Sequence, residues 1–212
     1  DRLGRERVRD KPKHPFRGVP DFWREYSLSM EDRISTFMEN WTSLGGHAFR
    51  LQSMEEVGGF IREFVEETGA ESILLQNQQA LTELKLEHSV PAVKVVVWGE
   101  GNDSDELLQD AAQADVGIAV VDYAAAYTGT VAVFSSPDKG RSTSLLPKVF
   151  IAVIPADVIA ANLGSILIEL DDRSPSDIPA GIHFITGPSR SSDIENDLTI
   201  GVHGPGIVYA LV

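Results

Sequence analysis

Between residues 71 and 154 the chain reads ESILL (71–75), KVVVW (94–98), VGIAVV (116–121), TVAVF (130–134) and VFIAVI (149–154), and IHFI follows at 182–185. These short apolar runs are rich in β-branched residues and do not alternate with polar ones. That pattern is expected of strands buried on both faces, as in a parallel sheet covered by helices. Amphipathic stretches separate several of them. Residues 104–114 carry Leu107, Leu108, Ala111 and Ala112, and residues 156–170 carry Ile159, Leu163, Ile166, Leu167 and Leu170 at helical spacing. Strand and helix in alternation predict an α/β fold with a mixed, mostly parallel sheet flanked by helices. The link between the runs at 116–121 and 130–134 is too short for a crossover helix, so part of the sheet is expected to be antiparallel.

Ahead of this core the period is helical. Ser29 reads as an N-cap before Ile34, Phe37, Met38, Trp41 and Leu44, and Gly45-Gly46 stop that helix. Ser53 and Glu56 make a capping-box pattern before Val57, Phe60, Ile61, Phe64 and Val65, and Gly69 closes the second helix. Residues 1–28 read as a basic leader, in which Pro12, Pro15 and Pro20 forbid a continuous helix. The expected organisation is this leader followed by one domain over 29–212, with helices over 29–69 as a helical N-terminal extension and the α/β core over 70–212.

The 212 residues carry 18 basic and 32 acidic side chains, a net charge of −14. So acidic a chain lacks the basic footprint that nucleic acid requires. The charge is uneven: residues 1–25 hold eight basic and five acidic groups. That arm reads either as a solvated terminus or as a docking segment for an acidic partner or a second copy, which leaves a homo-oligomer open. No apolar run approaches the roughly 18 residues of a membrane span, and no secretory leader is visible, so a cytoplasmic protein is expected. The chain has no Cys, which excludes disulfides, thiol catalysis and cysteine-ligated clusters. Its five His (His14, His47, His88, His183 and His203) show no paired ligand spacing, so neither a metal nor a resident cofactor is expected.

Three polar turns punctuated by glycine are candidates for chemistry, because ligands of open α/β sheets bind at strand-end turns. The first is Thr128-Gly129-Thr130. The second, SSPDKGRSTSLLP (135–147), holds Arg141 with Lys139 and five hydroxyls. The third is Gly187-Pro188-Ser189-Arg190-Ser191-Ser192-Asp193, where Ser192 and Glu195 repeat the capping-box pattern and so predict a helix start. Free N–H groups at a helix start, hydroxyls and a guanidinium suit a phosphate or carboxylate. The competing reading is structural, with Arg190 paired to Asp193 and Ser192 acting only as a cap. GVHGPG (201–206) has the wrong spacing for a dinucleotide loop. His203 and Gly204 in it are candidates for the same anion cradle, although a lone His in a terminal strand is more often structural. If the three turns instead lie far apart, their glycines serve tight turns and their polar groups satisfy the backbone.

FITGPSRSSDIENDLTIGVHGP (184–205), with TGT (128–130) and GRSTSLLP (140–147), resembles the lactate utilization protein C family, the LUD domain, over most of the chain. The resemblance implies a fold like that of the CoA-transferase and ribose-phosphate-isomerase superfamily. It also implies an accessory role in the oxidation of L-lactate to pyruvate beside iron–sulfur cluster-containing lactate utilization proteins. A chain without Cys cannot itself hold such clusters. Family members usually carry Glu before Thr-Gly-Thr, where this chain has Tyr127, and often His where it has Phe150. The first departure argues against covalent carboxylate catalysis at that position; the second removes any acid–base role there. The alternative is an enzyme or sensor that binds an anionic small molecule.

Overall fold

The computed structural model describes residues 27–99, 103–192 and 198–212. In chain order its main elements are α1 (Met30–Ser43), β1 (His47–Phe49), α2 (Met54–Thr68), β2 (Ser72–Leu75), β3 (Lys94–Val97), α3 (Ser104–Gln113), β4 (Val116–Val120), β5 (Tyr123–Ala125), β6 (Thr130–Ser135), β7 (Val149–Val153), β8 (Ile159–Ala160), α4 (Leu163–Asp171), β9 (Gly181–Ile185), β10 (Arg190–Ser192), β11 (Leu198–Ile200) and β12 (Ile207–Leu211). A one-turn helix, Ser142–Leu145, joins β6 to β7. The fold is mixed α/β, as the apolar runs predict.

Six strands form a wholly parallel sheet in the order β1-β12-β7-β4-β2-β3. A second sheet, β8-β5-β6-β9, pairs β5 with β6 and β6 with β9 antiparallel. The expected antiparallel pairing is therefore present, but its partner is β5, and β4 and β6 belong to different sheets. Both faces of the parallel sheet are covered. On one lie α1 and the second sheet, with Phe37, Trp41, Val131 and Val133 meeting Ala119, Phe150, Ala152, Val208 and Ala210. On the other lies α2, whose Val57, Ile61, Phe64 and Val65 meet Ile73, Leu75, Val116, Ile118, Ile151 and Val153. The outer face of the second sheet is covered by α4 through Ile166 and Leu170.

The helix limits follow from local chemistry. Ser29 accepts from Asp32 N at 3.1 Å to start α1, and Ser53 accepts from Glu56 N to start α2. The Glu56 carboxylate returns to Gln52 N at 2.7 Å, one residue before the position the capping box predicts. Gly69 ends α2 with φ of 68°, the left-handed conformation that glycine adopts without strain. One expectation is corrected. The helix read over 156–170 begins only at Leu163, because Asn162 caps it through Ser165 N at 3.0 Å and the preceding Ile159–Ala160 pairs with β5. Arg190–Ser192 pairs antiparallel with Leu198–Ile200, and the helix start expected after Ser192 lies outside the described residues.

Trp41 is fully buried, and its indole N–H meets no acceptor among the described residues. Its ring stacks on Phe37 at 5.7 Å, so its packing is apolar. A buried donor without a partner forfeits about 1–3 kcal/mol. Trp41→Phe removes that donor and is expected to cost under about 1.5 kcal/mol, whereas Trp41→Ala is expected to cost about 3–5 kcal/mol. Urea unfolding of the two variants checks the contrast.

Candidate functional site

The parallel strands β2 and β3 end beside a cleft of about 490 Å³ lined by Trp98, Ser135, Lys139, Arg141, Gly181 and His183, among others. Its position follows from topology. The chain passes from β2 outward to β3 and then returns to β4 on the other side of β2, and such a reversal opens a crevice at the carboxyl ends of the strands. The loop after β6 forms one wall. It is anchored beneath by Asn77, whose N donates to Asp138 O at 2.9 Å and whose Nδ2 donates to Asp138 Oδ1 at 3.0 Å. Gly140 lies flat on the Trp98 indole, so that a Cβ there would stand 2.1 Å from the ring.

Ser135 Oγ and His183 Nε2 lie 3.2 Å apart in this cleft. The antiparallel register explains why: Ser135 opposes Gly181, and His183 is two residues farther along β9 on the same face. Burial, and then the positive charge of Arg141, hold the His183 imidazole below its usual value of 6.5. Both effects favour the neutral ring. Lys139 is paired with Asp122, which also accepts from Phe134 N at 2.7 Å. The Arg141 carbonyl accepts from Ser144 N and Ser144 Oγ, both at 3.2 Å, whereas its guanidinium has no hydrogen-bond or ion-pair partner among the described residues.

The depressed imidazole value makes stability depend on pH. The unfolded chain binds the His183 proton more readily than the folded chain, so this contribution is present above about pH 6.5 and is lost progressively as pH falls from there through the lower folded-state value. His183→Gln is expected to flatten that part of the stability profile. Urea midpoints collected from pH 8 to about pH 5.5 check it.

The other residues expected to form an anion cradle lie elsewhere. Thr130 and Ser135 occupy opposite ends of β6, about 17 Å apart at 3.4 Å per residue, so Thr128-Gly129-Thr130 does not share the cleft of Arg141. Thr130 Oγ1 hydrogen-bonds Thr128 Oγ1 at 2.7 Å and Thr186 Oγ1 at 2.9 Å. Gly129 has φ of 56° and is pressed against Asn40 and Trp41 at the end of α1. Asn40 Nδ2 donates to the Ala126 and Tyr127 carbonyls at 2.9 and 3.0 Å. Gly187, with φ of 75°, packs on Leu44, and Arg190 donates to the Leu44 carbonyl at the C-cap of α1. Ser189 N donates to Pro205 O at 2.9 Å, and Ser189 lies against Gly204.

Thus Thr128, Gly129, Thr130, Gly187 and Arg190 do converge, but on the carbonyl end of α1, and Ser189 and Gly204 meet beside them. A helix C-terminus carries partial negative charge and attracts a guanidinium rather than an anion. His203 is exposed. Ser192 lies in β10, while Asp193 falls outside the described residues. Reasoning from sequence missed His183, Trp98 and Ser135 as a group. They lie far apart in the sequence, and only the β6–β9 register joins them.

Fold and site together define an α/β protein with a polar cleft at the carboxyl edge of a parallel sheet. Residues 34–212 match the LUD domain, and the chain belongs to that family. It is 32 % identical to lactate utilization protein C of Halalkalibacterium halodurans over 97 % of this chain and 90 % of the relative. The lactate utilization protein C of Shouchella clausii is 31 % identical over the same shares, and that of Bacillus subtilis is 42 % identical over 54 % of this chain and 49 % of the relative. A crystal structure of a DUF162 family protein from Deinococcus radiodurans superposes with a TM-score of 0.63 at 18 % identity, covering 88 % of this chain and 99 % of that one. These likenesses support involvement in lactate utilization. No helix among the described residues is long and apolar enough to cross a membrane.

Proposed function

We propose that this chain is an accessory component of an L-lactate oxidation system in the cytoplasm, where it acts beside iron–sulfur cluster-containing partners that carry the electrons from L-lactate. The observation that carries this reading is the match to proteins named lactate utilization protein C across 97 % of the chain. The absence of Cys supports the division of labour, since iron–sulfur clusters are held by thiolates. The test is reconstitution of lactate-dependent electron transfer with purified partners, with and without this chain. A rate that depends on the chain, together with its co-purification with the partners, supports the reading. Full partner activity in its absence, with clean separate elution, overturns it.

A second reading, an enzyme or sensor for an anionic small molecule, is favoured by the Arg141 guanidinium, which borders the cleft without a partner among the described residues. A thermal-shift screen against lactate, CoA esters, nucleotides and folates tests it, because a ligand that binds only the folded state raises the transition temperature by mass action.

A further inference from the structure

The convergence of Ser135, His183 and Arg141 on one cleft says more than that the cleft tolerates an anion. Gly181 lies under the Ser135–His183 pair, and the ideal Cβ position above it is 3.0 Å from both Ser135 Oγ and His183 Nε2. Both polar atoms therefore turn toward one point of the cleft, kept open because residue 181 has no side chain. Between them a hydroxyl and a neutral imidazole supply both a donor and an acceptor. Such a pair matches an alcohol or carbonyl oxygen, which needs one or both. Arg141 borders the same cleft, and its planar fork suits a carboxylate in a bidentate contact.

A nucleophilic role for Ser135 fits less well. Activation of the hydroxyl would leave His183 positively charged beside Arg141, and no carboxylate among the described residues hydrogen-bonds the imidazole to stabilise that charge. The pair is built to stay neutral and to bind.

We propose that this cleft is a binding site for carboxylic acids that carry an oxygen on the adjacent carbon, the 2-hydroxy and 2-oxo acids. The guanidinium of Arg141 holds the carboxylate, and the Ser135–His183 pair receives the oxygen on carbon 2. The cleft is larger than a three-carbon acid, and Trp98 and Pro137 offer apolar surface beyond the polar group. The site therefore accepts acids with a longer or aromatic substituent as well as the smallest members of the class. The proposal deepens the anionic-ligand reading above and rests on it, but it takes from the lactate assignment only the choice of acids to try.

The test is isothermal titration calorimetry of the full chain with L-lactate, pyruvate, 3-phenyllactate, acetate and inorganic phosphate. The 2-hydroxy and 2-oxo acids are expected to bind at least about tenfold more tightly than acetate, because acetate leaves the Ser135–His183 pair unmatched. Arg141→Gln is expected to weaken every acid by about tenfold or more. Ser135→Ala and His183→Asn are expected to remove the preference over acetate while acetate itself binds as before. Gly181→Ala fills the convergence point. It is expected to abolish the preference with an unchanged unfolding midpoint, since only the tips of two side chains must yield.

Equal binding of lactate and acetate overturns the proposal. So does binding of phosphate alone, indifference to Arg141→Gln, or absence of binding by any acid in the millimolar range. Selective binding of 2-hydroxy acids by a chain that reconstituted lactate oxidation does not need sustains this site and removes the accessory role. Dependence of that oxidation on the chain without such binding does the reverse.

Discussion

Phe150→Ala is expected to destabilise the protein by about 3–5 kcal/mol, the range for a fully buried aromatic ring. For a chain of this size that lowers the transition temperature by roughly 6–20 °C, which thermal unfolding followed by circular dichroism checks. Phe150 is fully buried in β7, between Gly117 of β4 and Val208 of β12, and points at the layer where α1 and the second sheet cover the parallel sheet. The cavity left by alanine cannot collapse readily, because two paired strands fix the backbone on either side. The same burial accounts for the chemistry of this position. A histidine here would place a polar ring in a dry core unless a partner met it, whereas phenylalanine needs none.

Gly117→Ala is expected to be as damaging for the opposite reason. The one-turn helix Ser142–Leu145 sits directly on β4, and an ideal Cβ on residue 117 would stand 1.9 Å from the Thr143 carbonyl oxygen and 2.9 Å from Pro147 Cγ. Ordinary overpacking costs about 1–3 kcal/mol when side chains give way. Here the obstacle is backbone, so relief requires the connection between β6 and β7 to lift from the sheet. A loss of about 3 kcal/mol or more is expected, with loosening of the loop that carries Lys139, Gly140 and Arg141. Hydrogen exchange at Thr143 N and Ser144 N, compared with a core strand such as β12, separates local lifting from global loss. If the variant unfolds with the wild-type midpoint, the close approach at Gly117 is not a constraint.

Most of the parallel sheet was legible in the sequence because its strands are buried on both faces and so read as unbroken apolar runs. VGIAVV and VFIAVI became β4 and β7, nearly residue for residue. The strands that escaped are the short ones. HAF (47–49), YAA (123–125) and IA (159–160) are too brief to show a period, and they exist because a neighbouring strand pairs with them. The start of α4 is not legible in the sequence because apolar spacing continues through Ile159, which faces the core from a strand rather than a helix. The site was legible only in part. Arg141 stood out as a cation in a glycine-containing loop, but its neighbours depend on the β6–β9 register. Arg190 was drawn to the anion cradle by composition, while the structure sets it on a helix carbonyl.

β1 lies at the edge and has a single strand beside it, β12, which is encoded near the other end of the described sequence and also separates β1 from β7. On the ribosome, β1 emerges early and has no strand to hydrogen-bond with until residues 207–211 have cleared the exit tunnel. The nascent polypeptide can assemble β7-β4-β2-β3 with α2, but closure around the aromatic cluster of Phe49, Phe60, Phe64 and Tyr209 waits for residues 207–211. Until then the unsatisfied rim of β7 is open to pairing with other chains.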